Sequence, residues 1–312
     1  MTVHVLHAAD LAGPTVNLVD DVRRMLALHF MVNAFRAGAV AAVLGAVIGW
    51  FMVLRRQSFV GHTLAVVSFP GAAAAIWLGV SATAGYFAGS IVAALVIALV
   101  PRTPIGRAGG QESAVIGTVQ AFALATGALF VSLYGGFLDS VTGLLFGSFL
   151  GVSDGQVVTL VVVAALVLVV MIVLARPLFF ATVDGDVAAA RGVPQRGLSV
   201  AFLLVLGCTA AEVSQITGAL LVFALLVMPA AAAQQLTARP VLGLCLSVAT
   251  GLVVVWSALG VAFYSTWPVG FFVSTFGFAA YLAATGIRLA SGYQARTVRT
   301  GGTSRSPRVV AA

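Results

Sequence analysis

The chain is written in apolar blocks of about 20 residues, separated by short polar connections, and each block is long enough to cross roughly 30 Å of hydrocarbon. Inside that medium only helices or closed barrels satisfy their own backbone, so the blocks dictate helices. The candidate spans are 34–54, 62–79, 84–101, 113–134, 157–174, 197–214, 217–236, 241–263 and 268–288. Hydrophobic residues make up 61% of the chain and charged residues 8%, whereas soluble domains carry about 25% charged residues. The expected fold is an all-α polytopic membrane protein, a bundle of eight to nine transmembrane helices with no soluble domain. Its expected divisions are an N-terminal interfacial segment (1–30), a transmembrane domain (31–290) and a disordered cytoplasmic tail (291–312).

The formal charge of +7 comes wholly from arginine, because the chain has no lysine. These arginines sit between the apolar blocks, which points to topology and anionic lipid head groups, not to nucleic acid. Arg55 and Arg56 follow the first span, Arg102 and Arg107 the third, and Arg176, Arg191 and Arg196 the fifth. Arg239 follows the seventh, and five arginines from Arg288 to Arg308 follow the last. The intervening connections contain none. The positive-inside rule then puts the C-terminus in the cytoplasm and the N-terminus outside, as nine crossings require. Residues 1–30 include Asp10, Asp20 and Asp21 and do not read as a cleavable signal. Cys208 and Cys245 lack CxxC spacing and read as two buried small hydrophobes.

Two connections are long. Residues 135–156 hold a semi-apolar stretch too short to span, expected to form a helix dipping into the outer face. Residues 176–196 form the largest cytoplasmic loop, and within it "DGDVAAARG" has acids first, then alanines, arginine in the last turn and glycine past the end. That order is the grammar of a short capped helix. Glycines four apart (Gly45/Gly49, Gly85/Gly89, Gly143/Gly147/Gly151) offer small-residue faces for close helix approach, within one chain or across a dimer interface.

A charge at mid-bilayer costs at least ~2.5 kcal/mol, so each intramembrane polar group invites a functional reading beside a structural one. Glu212, with Gln215 one turn on, reads either as a pathway carboxylate or as an acid at a wet span end. His62 reads as a pathway ligand or a loop histidine at the mouth of the second span. Further along that span, Ser68 and the Pro70–Gly71 pair interrupt the apolar run; the proline either frees carbonyls to line a cavity or simply kinks the helix. Asp139 reads as a solvated outer-face acid, and His4 and His7 as part of a frayed terminus. Enzyme signatures such as His-Glu-x-x-His and Gly-x-Ser-x-Gly are absent, and without lysine the chain cannot form a P-loop. If ATP drives its work, another subunit hydrolyses it.

Five segments together resemble the membrane subunit of bacterial ABC importers for zinc, manganese or iron. They are "HFMVNAFRAGAVAAVLGAVIGWFMVLRR", "VGHTLAVVSFPG", "LLFGSFLGVS", the segment from Asp184 through Asp186 and Ala188 to Gly192, and "TGALLVFALLVMPAAAAQQL" around Pro229. They occur in the family's order over residues 29–288. The resemblance implies a homodimeric permease with no permanently bound cofactor, carrying a divalent metal ion, zinc or manganese. It also implies cytoplasmic ABC ATPase subunits engaging residues 184–192, and an extracytoplasmic solute-binding protein delivering cargo. The expected home is the bacterial plasma membrane. The chain departs from the family at one pair: where the family carries Asp and His one turn apart, this chain has His62 and Val66. That leaves one imidazole, which suits zinc better than magnesium or calcium if two copies face each other, or else a chelated cargo. The rival class, an ion-coupled secondary transporter, predicts buried acids or basic residues and an inverted repeat, of which the sequence shows only Glu212.

Overall fold

The computed structural model describes residues 18–99, 109–133, 143–147, 149–219 and 221–301, and every regular element among them is helical. In chain order these are α1 (Leu18–Leu26), α2 (His29–Leu54), α3 (Ser58–Trp77), α4 (Ala82–Leu99) and α5 (Gly109–Leu133). There follow α6 (Asp154–Val183), α7 (Gly185–Ala190), α8 (Gln195–Thr217), α9 (Val222–Leu236), α10 (Pro240–Phe263) and α11 (Val269–Gly301). Eight helices among the described residues are long and apolar enough to cross a membrane: α2 to α6, α8, α10 and α11.

The seventh expected span, 217–236, appears as the 15-residue α9. At 1.5 Å per residue it is about 22 Å long, short of a full crossing. The cause is a glycine contact. Gly218 ends α8 with φ +76°, and Gly147 from the 143–151 segment, also at φ +76°, presses on it. A Cβ on Gly218 would lie 2.3 Å from the Gly147 nitrogen, and one on Gly147 would lie 2.2 Å from the Ile216 carbonyl oxygen. Only glycine fits either place, because both the left-handed φ and the contact exclude a side chain. The same segment is held by Tyr86 Oη donating to the Leu144 carbonyl (3.0 Å) and by Ala219 N–H donating to that oxygen (3.3 Å). Residues 143–146 form one helical turn, and Phe149 begins a short 3-10 turn with its ring buried.

Other boundaries also moved. α6 runs 30 residues and carries Arg176 and Pro177 inside it, well past the expected end at 174. α11 continues to Gly301, beyond the boundary expected at 290. α1 lies within the expected N-terminal segment, with Asp20 and Asp21 in its first turn and Arg23 and Arg24 in its last, each sign placed to suit the helix dipole. His4, His7, Arg102, Arg107, Asp139 and residues 302–312 lie outside the described residues.

The glycine pairs hold the chain to itself. α3 crosses α4 where Gly71 meets Gly85 and Gly89; a Cβ on Gly71 would sit 2.3 Å from the Gly85 carbonyl oxygen, and one on Gly85 2.4 Å from the Gly71 oxygen. A Cβ on Gly49 in α2 would overlap the Leu226 carbonyl of α9 at 1.8 Å. These two stripes therefore serve contacts inside one chain. Cys245 corrects an expectation: it is exposed, and Cys208 is half-buried. An apolar span needs apolar residues on its lipid side as well as its core side, so hydropathy alone does not bury a cysteine.

Glycine geometry gives a matched test. Gly85→Ala forces a Cβ into a backbone oxygen and should lower stability by about 1–3 kcal/mol. Gly117→Ala, where a Cβ meets nothing within 4 Å, should be neutral or slightly stabilising. Thermal unfolding in detergent distinguishes them; equal shifts would contradict the packing described.

Candidate functional site

The polar groups gather on α3 and on the helices that enclose it, α4, α5, α8 and α9. α3 begins one tight turn after Arg55 and runs away from that arginine-bearing end of the bundle. His62, in its second turn, is half-buried, so the loop-histidine reading does not hold. Its ring stands edge-on to Phe223 of α9 (centroids 4.9 Å, interplanar angle 68°). Its Nε2 lies 3.5 Å from the Gln120 side-chain nitrogen of α5, and Gln120 Oε1 accepts from the Thr63 hydroxyl at 3.0 Å. The Thr63 bond turns the Gln120 NH2 group toward the imidazole, a donor facing a ring nitrogen. His62 Nδ1 is buried without a partner. Val66, one turn on, is buried and apolar. Among the described residues no group of three His, Cys, Asp or Glu side chains lies close enough to hold a metal ion.

Ser68 is fully buried and shares a hydrogen bond with Ser214 of α8 at 2.9 Å, while its hydroxyl also reaches the Ala65 carbonyl. It stands six residues from His62, roughly 9 Å along the helix. Pro70 follows inside the helix, and a proline there cannot donate to the carbonyl four residues back, that of Val66. Pro70 and Phe69 pack against Gly127 of α5, where a Cβ would come within 3.0 Å of the proline ring. The interruption thus sits inside the bundle, facing protein.

Glu212 is 1% exposed, which overturns the wet-end reading. Its Oε2 is 3.5 Å from the Gln215 side-chain nitrogen, and Gln215 Oε1 accepts from Thr83 of α4 at 3.0 Å. Glu212 Oε1 has no partner. Beside this trio opens a cavity of about 530 Å³, lined by Thr83, Ser153, Gln156, Thr159 and Gln215, at the end of the bundle opposite Arg55. The predicted residues therefore fall into two groups, His62 with Val66 near one end and Glu212 with Gln215 near the other, with Ser68 between them. Gln120, Thr63 and Phe223 were missed. The signal was there for Gln120, an amide within the apolar block 113–134, but attention to ionisable groups passes it over.

The capped helix expected from "DGDVAAARG" is α7, set between α6 and α8. Asp184 is its N-cap, Oδ1 accepting from Val187 N–H at 3.0 Å, and Asp186 stands in its first turn. Ala188 is completely buried against the bundle. Gly192, at φ +78°, closes the far end with its N–H on the Ala189 carbonyl (2.9 Å). The Gln195 amide donates to the Gly185 carbonyl and pins the helix to the start of α8.

Comparison with known proteins agrees with the motif resemblance. The chain is 27% identical over 237 residues to the manganese transport system membrane protein MntC of Halalkalibacterium halodurans, covering 76% of this chain and 80% of that protein. It is 29% identical over 258 residues to the chelated iron transport system membrane protein YfeC of Yersinia pestis, covering 82% and 85%. Its fold is similar to that of PsaBC from Streptococcus pneumoniae, solved in complex with Fab, with a TM-score of 0.75 at 22% identity over 86% of this chain and 95% of that one. The family model of the ABC 3 transport family matches residues 27–287, the whole transmembrane bundle from the start of α2 into α11. The chain belongs to the ABC 3 transport family.

Proposed function

We propose that the chain is the permease subunit of a bacterial ABC importer, forming the transmembrane pathway for a divalent transition metal, zinc or manganese. The observation that carries this is the family match over the entire bundle, with relatives named for manganese and chelated iron transport. The chain works as a homodimer in the plasma membrane, its arginine-bearing end and C-terminus cytoplasmic. An extracytoplasmic solute-binding protein delivers cargo to the end where the Thr83–Gln215 cavity opens. Two ABC ATPases engage α7, whose Asp184 cap, buried Ala188 and Gly192 closure make it a firm lever on α6 and α8.

Along the pathway, Glu212 and Gln215 receive the cation, Ser68 and Pro70 line its passage, and His62 is the last ligand before the cytoplasm. Imidazole is a good ligand for zinc and iron, and its neighbours Gln120 and Thr63 are neutral side chains that add no charge. A single imidazole binds a transition metal weakly, which suits a site that must release what it takes. A second copy brings a second His62. The lone imidazole also suits a chelated cargo, and uptake of metal only as a chelate would select that form.

Two outcomes are expected. Val187→Glu places a charge on the exposed face of α7, and should abolish co-purification with the ATPase while the bundle stays monodisperse. Retained association would remove α7 from the coupling role. His62→Ala should cut zinc or manganese uptake by roughly tenfold or more, the effect of one lost ligand shell. Equal uptake by both proteins in a metal-starved deletion strain would exclude His62 from the pathway.

A further inference from the structure

α7 lies on the helices that flank it, whereas His62 and the rest of the pathway lie on α3, α5 and α8, so a motion at α7 needs a physical route to α3. α8 packs directly on α3, and one further side chain ties the α7 corner to the start of α3. Arg55 is the C-cap of α2 and stands two residues before Gln57, the N-cap of α3. Its guanidinium donates through Nη1 to the Thr182 hydroxyl (3.2 Å) in the last turn of α6 and through Nη2 to the Ser199 hydroxyl (3.1 Å) in the first turns of α8. Its Nε donates to Gln57 Oε1 (3.2 Å), and the guanidinium lies over the buried Phe202 ring at 5.4 Å.

The surroundings make this contact stiff at both ends. Thr182 and Ser199 bracket α7, and the Thr182 hydroxyl donates its own hydrogen bond to the Leu178 carbonyl (2.6 Å). The α2–α3 turn is closed by Arg55 N–H on Phe51 O (2.9 Å), Arg56 N–H on Val53 O (3.0 Å) and Gln57 N–H on Met52 O (2.9 Å). Arg56 adopts φ 57° there, a conformation a non-glycine residue keeps only when its surroundings impose it. A displacement of the α6–α7–α8 corner therefore pulls on a rigid turn, and that turn is the start of the helix that carries His62 in its second turn.

We infer that Arg55 is the positioning residue that transmits movement of the α7 corner to α3, through a fork of hydrogen bonds that only a guanidinium can make. Three separate acceptors, on Gln57, Thr182 and Ser199, each meet a different nitrogen of its fixed donor fork, and a lysine ammonium cannot reach all three at once. Arg55 touches no cargo in this role. The inference rests on the proposed engagement of α7 by an ATPase.

The experiment uses the full transporter, this chain with its ATPase in proteoliposomes and its cargo-loaded binding protein, and reads metal taken up per ATP hydrolysed. Arg55→Lys and Arg55→Ala should each lower that ratio roughly tenfold, a coupling loss of ordinary allosteric size, while ATP hydrolysis without binding protein stays at the wild-type rate. A merely structural role would lower assembly and thermal stability without changing the ratio in the transporters that do assemble. Thr182→Val combined with Ser199→Ala removes both acceptors and keeps the arginine, so it reads the same link if the arginine variants do not assemble. A ratio within twofold of wild type in the variants that assemble would overturn the role of Arg55. A wild-type chain that binds no ATPase would instead overturn the reading it rests on.

Discussion

The structure depends on backbone meeting backbone at glycine. In hydrocarbon, helices gain nothing from burying apolar surface against one another, because lipid tails are as apolar as leucine, so close van der Waals approach and a few polar contacts must hold them. Here the approach is closest where Gly71 faces Gly85 and Gly89, where Gly49 meets Leu226, and where Gly147 meets Gly218. The first contact fastens α3 to α4, the second fixes α9 on α2, and the third stops α8 and shortens α9. Together they enclose α3, and α3 carries His62, Ser68 and Pro70.

Because α3 is enclosed, its polar atoms must find partners on neighbouring helices, and those partners define the site. Thr63 reaches Gln120, Ser68 reaches Ser214, and Ser90 of α4 donates to the Leu64 carbonyl (3.3 Å). These are modest bonds, about 1 kcal/mol each, yet they fix which way each side chain points. The atoms left over are informative for the same reason. His62 Nδ1 and Glu212 Oε1 are buried without partners, one toward each end of the helix bundle. Buried groups of this kind are costly, and the proposed pathway would give them an occupant.

Legibility in the sequence followed the range of the interaction. Most of the helical spans and the capped α7 are set by residues near one another in the chain, and both could be read directly. The "DGDVAAARG" grammar was enough to foresee the Asp184 cap and the Gly192 closure. The family was legible too. What could not be read depends on residues far apart. The shortening of α9 needs Gly147 against Gly218; the burial of Glu212 needs the helices packed around α8; Arg55 finds Thr182 and Ser199 more than a hundred positions away. Cys245 failed for a different reason, since hydropathy does not tell a lipid-facing side chain from a core one.

The central claim is that this chain is the passive pathway of an ATP-driven importer. The most direct test is metal accumulation in proteoliposomes containing the purified chain, with and without its ATPase and cargo-loaded binding protein. The account predicts zinc or manganese accumulation only when both partners and ATP are present. Metal movement by the chain alone, driven by a proton or sodium gradient, would contradict it.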